Sequence, residues 1–124
     1  MHGVRQAHGV TFPNGCGLGA TWSPDALKTV GKTMAVEARA DYNLNTAGGN
    51  RGQHCNGCGI TMYGPNMNLV RDPRWGRAQE VYSEDPVLTA ALTEAMVKSA
   101  QEPLDGPGGS GPMTAAACCK HFAA

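Results

Sequence analysis

Apolar positions recur at helical spacing in two stretches of the chain, and short apolar runs edged by glycine and proline follow each of them. In "TWSPDALKTVGKTMAVEARADY", residues 21–42, Leu27, Val30, Met34 and Ala38 fall on one stripe at steps of three and four, which predicts an amphipathic helix. Ser23 is placed to cap it, Pro24 suits its first position and Asp25 suits its positive end. A second helix is predicted from a cap at Ser83, with Glu84 and Asp85 in its first turn and Pro86 near its start. Its apolar face comprises Leu88, Ala91, Leu92, Ala95 and Met96, and it should stop near Gln101, where the breakers of "EPLDGPGGSGP" (102–112) begin.

Between these helices, residues 43–58 read as polar loop. "GITMYGPNMNLV" (59–70) then reads as one or two short strand pieces divided by Gly64-Pro65. After the second helix, "MTAAACC" (113–119) reads as a short buried strand ending at Lys120-His121. Strand, helix and strand in that order predict a βαβ unit with parallel strands and a right-handed connection. The first helix, with a possible strand in the glycine-rich residues 1–22, adds a second such unit. The predicted class is therefore α/β, and 124 residues suffice for one small core, as part of a parallel barrel or a minimal open sheet.

Composition changes this picture little. Ten basic and ten acidic residues cancel, so no overall field points to nucleic acid or an anionic membrane. No run approaches the roughly 18 apolar residues of a membrane span, and the first ten residues hold no run of signal-peptide length. The five cysteines are an odd number, which excludes a fully paired framework within the chain. Cys55 and Cys58 form a C-x-x-C beside His54, a pattern open to zinc or redox chemistry. With no second such pair and Asn-Gly between the thiols, an incidental pair of loop cysteines is the plainer reading, and no metal site is assigned. Of the adjacent Cys118 and Cys119, at least one is expected in the core.

The chemistry gathers at strand ends. "VRDPRWGRAQEVYSEDP" (70–86) sets Arg71, Arg74 and Arg77 on the loop that leaves the first strand, and Lys120 and His121 end the next. Parallel neighbours lie about 4.8 Å apart. Sites of α/β folds form at the C-terminal ends of their strands. Arg77, Lys120 and His121 are thus expected to converge on a pocket for a ligand rich in oxygen acceptors: a phosphate, a carboxylate or a polyhydroxylated sugar. Phosphate is the least supported of these, since neither a P-loop nor G-x-G-x-x-G stands in a fitting context.

The neighbouring loop residues read as structure. Arg71 and Arg74 are expected to pair with carboxylates such as Glu80 and Glu84, and Asp72 before Pro73 to make a turn. Trp75 could stack on a sugar face or anchor the loop. Glu84 and Asp85 are explained by capping. His2, His8 and His54 have no metal-ligand spacing beside them.

"GPNMNLVRDPRWGRAQEVYSEDPVL", followed about 30 residues later by "CCKHFAA", resembles glycoside hydrolase family 3. "HGV" (2–4), "FP" (12–13), "GATWSPDALKTVG" (19–31) and "EARA" (37–40) fit the N-terminal domain of that family in the same order. The resemblance implies a partial (β/α)8 barrel and an exo-acting, retaining β-glycosidase that uses no cofactor. It makes Arg77, Lys120 and His121 the residues that bind sugar hydroxyls in the −1 subsite. Arg71, Asp72, Arg74, Trp75 and Glu80 are read, from the residues themselves, as shaping the loop.

The family's nucleophilic aspartate, often in a Ser-Asp-Trp-like segment, has no counterpart in residues 1–124, nor has its acid/base. The chain is accordingly expected to be a fragment, inactive alone, whose partners are a β-linked xyloside or glucoside and the remainder of its own chain. "HGV" and "DPRWGR" lean toward β-xylosidases, and "YSEDP" occurs among β-glucosidases. A non-catalytic sugar-binding remnant and a metal or thiol protein at Cys55-Cys58 are the competing expectations. Members of the family are often secreted or periplasmic.

Overall fold

The computed structural model describes residues 3–4, 9–47 and 59–121. In order, these hold helices α1 (Gly15–Gly19) and α2 (Pro24–Thr46), strand β1 (Thr61–Met62), a 3-10 turn (Ala78–Glu80), helix α3 (Pro86–Ala100) and strand β2 (Ala116–Ala117). The class is α/β, as expected: β1 and β2 pair in parallel, Thr61 opposite Ala116 and Met62 opposite Ala117, with α3 as the connection.

Helix α2 begins as its caps dictate, with the Ser23 hydroxyl accepting the Ala26 N–H and Pro24 in the first turn. It runs four residues past the expected end at Tyr42, to Thr46. There Asn45 donates to the Asp41 carbonyl and Thr46 to that of Tyr42, so polar side chains support a turn that carries no apolar signal. Helix α3 is capped by Asp85, not by Ser83. The ring of Pro86 forces the preceding residue out of helical geometry, which makes Asp85 the cap; its carboxylate accepts the Leu88 N–H at 2.6 Å. Ser83 shapes the approach by accepting the Asp85 N–H.

The core forms where α2 and α3 pack together and over the sheet. Leu27, Met34, Leu92 and Met96 are fully buried, with Val30, Met62, Tyr82 and Ala115 around them. The expected stripe of α2 is buried throughout. On α3 the buried set is Thr89, Leu92, Ala95, Met96 and Ala100, while Leu88 and Ala91 are half-buried. Gly31 permits the close helix crossing, since a Cβ there would lie 2.6 Å from the Met96 carbonyl oxygen.

The strands are shorter than the apolar runs that predict them. Pro65 has no N–H to donate, so the ladder breaks at Gly64-Pro65 and resumes only as a bridge between Asn66 and Lys120. At the other run, Met113 pairs antiparallel with Pro103, and Thr114 donates to the Glu102 carbonyl. Arg39 of α2 clamps this approach to β2, donating to the Met113 and Thr114 carbonyls.

Helix α1 was not legible as a helix. Its glycines fold against the end of the 3-10 turn and the residues after it: a Cβ on Gly15 would lie 1.9 Å from the Glu80 carbonyl oxygen, and one on Gly19 1.8 Å from that of Tyr82. No strand precedes α2 among the described residues. Cys118 and Cys119 are both exposed, contrary to the expectation that one is core, because β2 ends before them and no described element covers either. Cys55, Cys58, His54, His2 and His8 lie outside the described residues. Among the described residues no helix is long and apolar enough to cross a membrane.

Candidate functional site at the strand ends

The loop from Arg71 to Tyr82 leaves the C-terminal end of β1 and is built from consecutive turns. Asp72 accepts the Arg74 N–H through its side chain and the Trp75 N–H through its carbonyl, the turn expected of it. Ala78 then donates to the Trp75 carbonyl, and Glu80 to that of Arg77. These turns carry Arg77 and Glu80 to the same side, three residues apart.

The Arg77 guanidinium grips the Glu80 carboxylate with both ends of its fork, Nε to Oε1 at 2.7 Å and Nη2 to Oε2 at 2.9 Å. Lys120 reaches the same carboxylate from the end of β2, with Nζ 3.2 Å from Oε2. Convergence of the two strand ends is thus observed, and Glu80 stands at its centre. Its side chain is only 17% exposed and that of Lys120 21%, so water screens this pair less than an ordinary surface one. Hydrogen bonds from Arg77 first, and the Lys120 ammonium next, hold the Glu80 carboxyl down at about 2. It is an anion at any ordinary pH.

His121 completes the group. Its ring meets Trp75 edge-on, centroids 6.4 Å apart and planes at 83°. Both ring nitrogens are buried and have no hydrogen-bond partner among the described residues. Burial foremost, then the positive charges of Arg77 and Lys120, push its pKa below the ordinary 6.5, with Glu80 opposing. The neutral ring therefore offers one donor and one acceptor. Trp75 acts at least as an aromatic neighbour of this histidine.

Other expectations divide. Arg74 pairs with Asp72, its own loop neighbour, and not with Glu80 or Glu84. Arg71 is exposed and has no ion-pair partner among the described residues, so the structural pairing expected of it is not present there. Glu80, read as loop structure that balances the arginines, pairs with Arg77 of its own loop and also with Lys120. The spacing of three from Arg77 was the available signal. Asn66 and Asn68 carry no signal in the sequence beyond their N-x-N pattern at the end of a strand.

Chemically, the arrangement gathers the N–H donors of two cations and an uncharged imidazole within one small region. It suits a hydroxyl-rich ligand. It is not itself a pair of catalytic carboxyls, which retaining hydrolysis needs about 5–5.5 Å apart. Glu80 is held by both cations and is not free to act as a nucleophile. Among the described residues no group of three histidine, cysteine or acidic side chains could hold a metal. A separate cleft of about 690 Å³ runs between α2 and α3, but each of its lysines faces a carboxylate: Lys28 that of Asp25, Lys32 that of Glu102 and Lys98 that of Glu94.

The sequence model of the glycosyl hydrolase family 3 N-terminal domain matches residues 1–124. The chain belongs to glycosyl hydrolase family 3. Beta-D-xylosidase 3 of Arabidopsis thaliana is 38% identical over 135 residues, covering 100% of this chain and 16% of its own length. Xylan 1,4-beta-xylosidase of Xylanibacter ruminicola is 37% identical, over 99% of this chain and 14% of that protein. Among solved structures, beta-glucosidase from Listeria innocua superposes with a TM-score of 0.65 at 31% identity, over 97% of this chain and 14% of that one. Beta-glucosidase 3B from Thermotoga neapolitana, solved with glucose, gives 0.63 at 35% identity, over 90% and 12%. The family 3 chain thus spans between about an eighth and a sixth of the length of these relatives.

Within this family 3 domain the bed beneath Glu80 is open to test. Gly15→Ala puts a methyl into the Glu80 carbonyl, which must move. Overpacking of this kind typically costs about 1–3 kcal/mol. A denaturation midpoint lowered accordingly is expected, and an unchanged midpoint would show that the α1 contact is soft.

Proposed function

We propose that the protein carrying this chain is an exo-acting, retaining β-glycosidase, specifically a β-xylosidase, and that residues 1–124 form part of a (β/α)8 barrel. In this reading Arg77, Lys120 and His121 bind hydroxyls of the sugar in the −1 subsite. The nucleophile and the acid/base come from outside residues 1–124, in which no Ser-Asp-Trp-like segment occurs. The single observation that carries the proposal is the convergence of Arg77 and Lys120 on Glu80 beside the unpartnered imidazole of His121. Charged donors held rigidly by a shared anion recognise hydroxyl oxygens without a fresh ordering cost. Membership of family 3 and the xylosidase names of its relatives support the choice of reaction and of sugar.

A second reading, β-glucosidase, draws support from the solved structures that superpose on the chain, which are beta-glucosidases. The xyloside reading places first the relatives of higher identity, 38% against 35%. Net neutrality gives no support to nucleic acid or an anionic membrane as partner.

The test is kinetic and uses the protein at its full natural length. Aryl β-xyloside should be hydrolysed with a higher kcat/KM than aryl β-glucoside; the reverse order would establish the second reading. Arg77→Ala and Lys120→Ala should each lower kcat/KM about 10- to 100-fold, the range for losing a hydrogen bond from a charged group at roughly 1.5–3 kcal/mol. Wild-type values in both variants would remove the site assignment. Sugar-dependent thermal stabilisation without turnover would instead mark a binding remnant.

A further inference from the structure

The bridge between Asn66 and Lys120 is the last backbone rung between the two strand ends. Lys120 donates to the Pro65 carbonyl at 3.1 Å, and its own carbonyl accepts the Met67 N–H at 2.8 Å. One residue further, the His121 N–H finds a side chain: Asn68 Oδ1 accepts it at 2.6 Å. Asn68 is in turn held by Asn66, whose Oδ1 accepts the Asn68 N–H at 3.1 Å and which is itself buried. Two asparagines thus form a relay from the buried end of β1 to the backbone of His121. Asn68 takes the place of a missing rung.

The relay ends on the residue whose ring has no partner of its own. The imidazole makes an edge contact with Trp75, and no hydrogen bond to its nitrogens directs it among the described residues. Its aim therefore depends on where its backbone is fixed, and Asn68 is the group that fixes it across 53 positions of sequence. We propose that Asn68 is a positioning residue for His121: its carboxamide oxygen fixes the His121 backbone, and with it the place of the imidazole beside Trp75 in the sugar site. This rests on the reading above, in which His121 binds substrate. Asn68 itself need not touch the sugar.

The experiment separates aim from mere stability by removing one substrate hydroxyl at a time. In the protein at its full natural length, kcat/KM is measured for an aryl β-xyloside and its 2-, 3- and 4-deoxy analogues. His121→Ala identifies the hydroxyl that depends on the imidazole, because that variant no longer distinguishes parent from analogue. Asn68→Ala is expected to lose discrimination at the same hydroxyl, with kcat/KM on the parent down about tenfold, the scale of one ordinary hydrogen bond. Its value on that analogue should be nearly unchanged. Asn68→Asp, which keeps an acceptor oxygen at the same reach, should restore discrimination. An equal fall on every substrate, or discrimination kept in Asn68→Ala, overturns the proposal.

If Asn68→Ala does not fold, Asn68→Ser serves, since its hydroxyl stops one bond short of Oδ1. A second readout needs no activity. Titration of the His121 ring by NMR should show its midpoint rising toward the ordinary value when Asn68 is truncated, as the ring leaves its buried place beside Arg77 and Lys120, with Glu80 opposing them. An unmoved midpoint also overturns the proposal. Should the wild type hydrolyse no aryl β-glycoside, the glycosidase reading fails, and the titration still decides whether Asn68 positions His121.

Discussion

Replacing Glu80 by glutamine is expected to lower kcat/KM on an aryl β-xyloside about 100-fold, or about 3 kcal/mol, at neutral pH. The carboxylate accepts both arms of the Arg77 fork and lies 3.2 Å from the Lys120 ammonium. A glutamine keeps the volume and loses the charge. It can accept from one arm only, and its amide group points donors at a cation. Two positive groups are then left side by side with no anion between them, Lys120 in a place only 21% exposed. Removing one member of a largely buried ionic group costs about 3–5 kcal/mol. The half-exposed Arg77 places this case at the lower end.

The same substitution has a signature in acid. The Glu80 carboxyl titrates at about 2 in the folded protein, against an ordinary 4.5. A depressed carboxyl stabilises the fold fully above its unfolded value, and that stabilisation disappears as pH falls through the folded one. Wild type should therefore lose stability between about 4.5 and about 2 more steeply than Glu80→Gln, as melting temperatures across that range would reveal. A variant with kcat/KM within threefold of wild type, and with the same acid slope, would show that Glu80 does not organise the site.

Leu92→Ala is expected to destabilise the protein by about 3 kcal/mol. Leu92 is 0% exposed on α3, in the cluster that also holds Leu27 and Met34 of α2. Truncation removes buried methyl groups and leaves a cavity that two tightly crossed helices cannot close; such changes cost about 2–5 kcal/mol. Val87 sits on the same helix but is 77% exposed, and Val87→Ala should stay within about 0.5 kcal/mol of wild type. Denaturant unfolding of both variants at the protein's full length makes the comparison. Equal midpoints for the two would mean that the α2–α3 contact is not the core it resembles.

Local chemistry was written plainly in the chain. Ser23, Pro24 and Asp25 start α2 where they predict, and the stripe of Leu27, Val30, Met34 and Ala38 is the buried one. These signals act over one or two turns, so a short window contains all the energy that decides them. The strand–helix–strand order was equally readable. With the rule that parallel strands place their C-terminal ends together, that order alone brings Arg77 and Lys120 into one site. Even the move of the α3 cap to Asp85 is local in origin, since Pro86 dictates it.

What only the tertiary structure decided depends on partners far apart in sequence. Glu80 and Lys120 are separated by 40 positions, and no periodicity records which anion a distant ammonium will find. Helix α1 is a glycine-rich segment with little propensity of its own; close approach to the Glu80 and Tyr82 backbone accompanies its helical form. The Asn68–His121 bond requires the register of two strands, and that register is set by where Pro65 interrupts the ladder and where Asn66 lets it resume. Caps and stripes are selected by neighbours a few residues away, whereas charge sharing and register are selected by whatever the fold brings opposite.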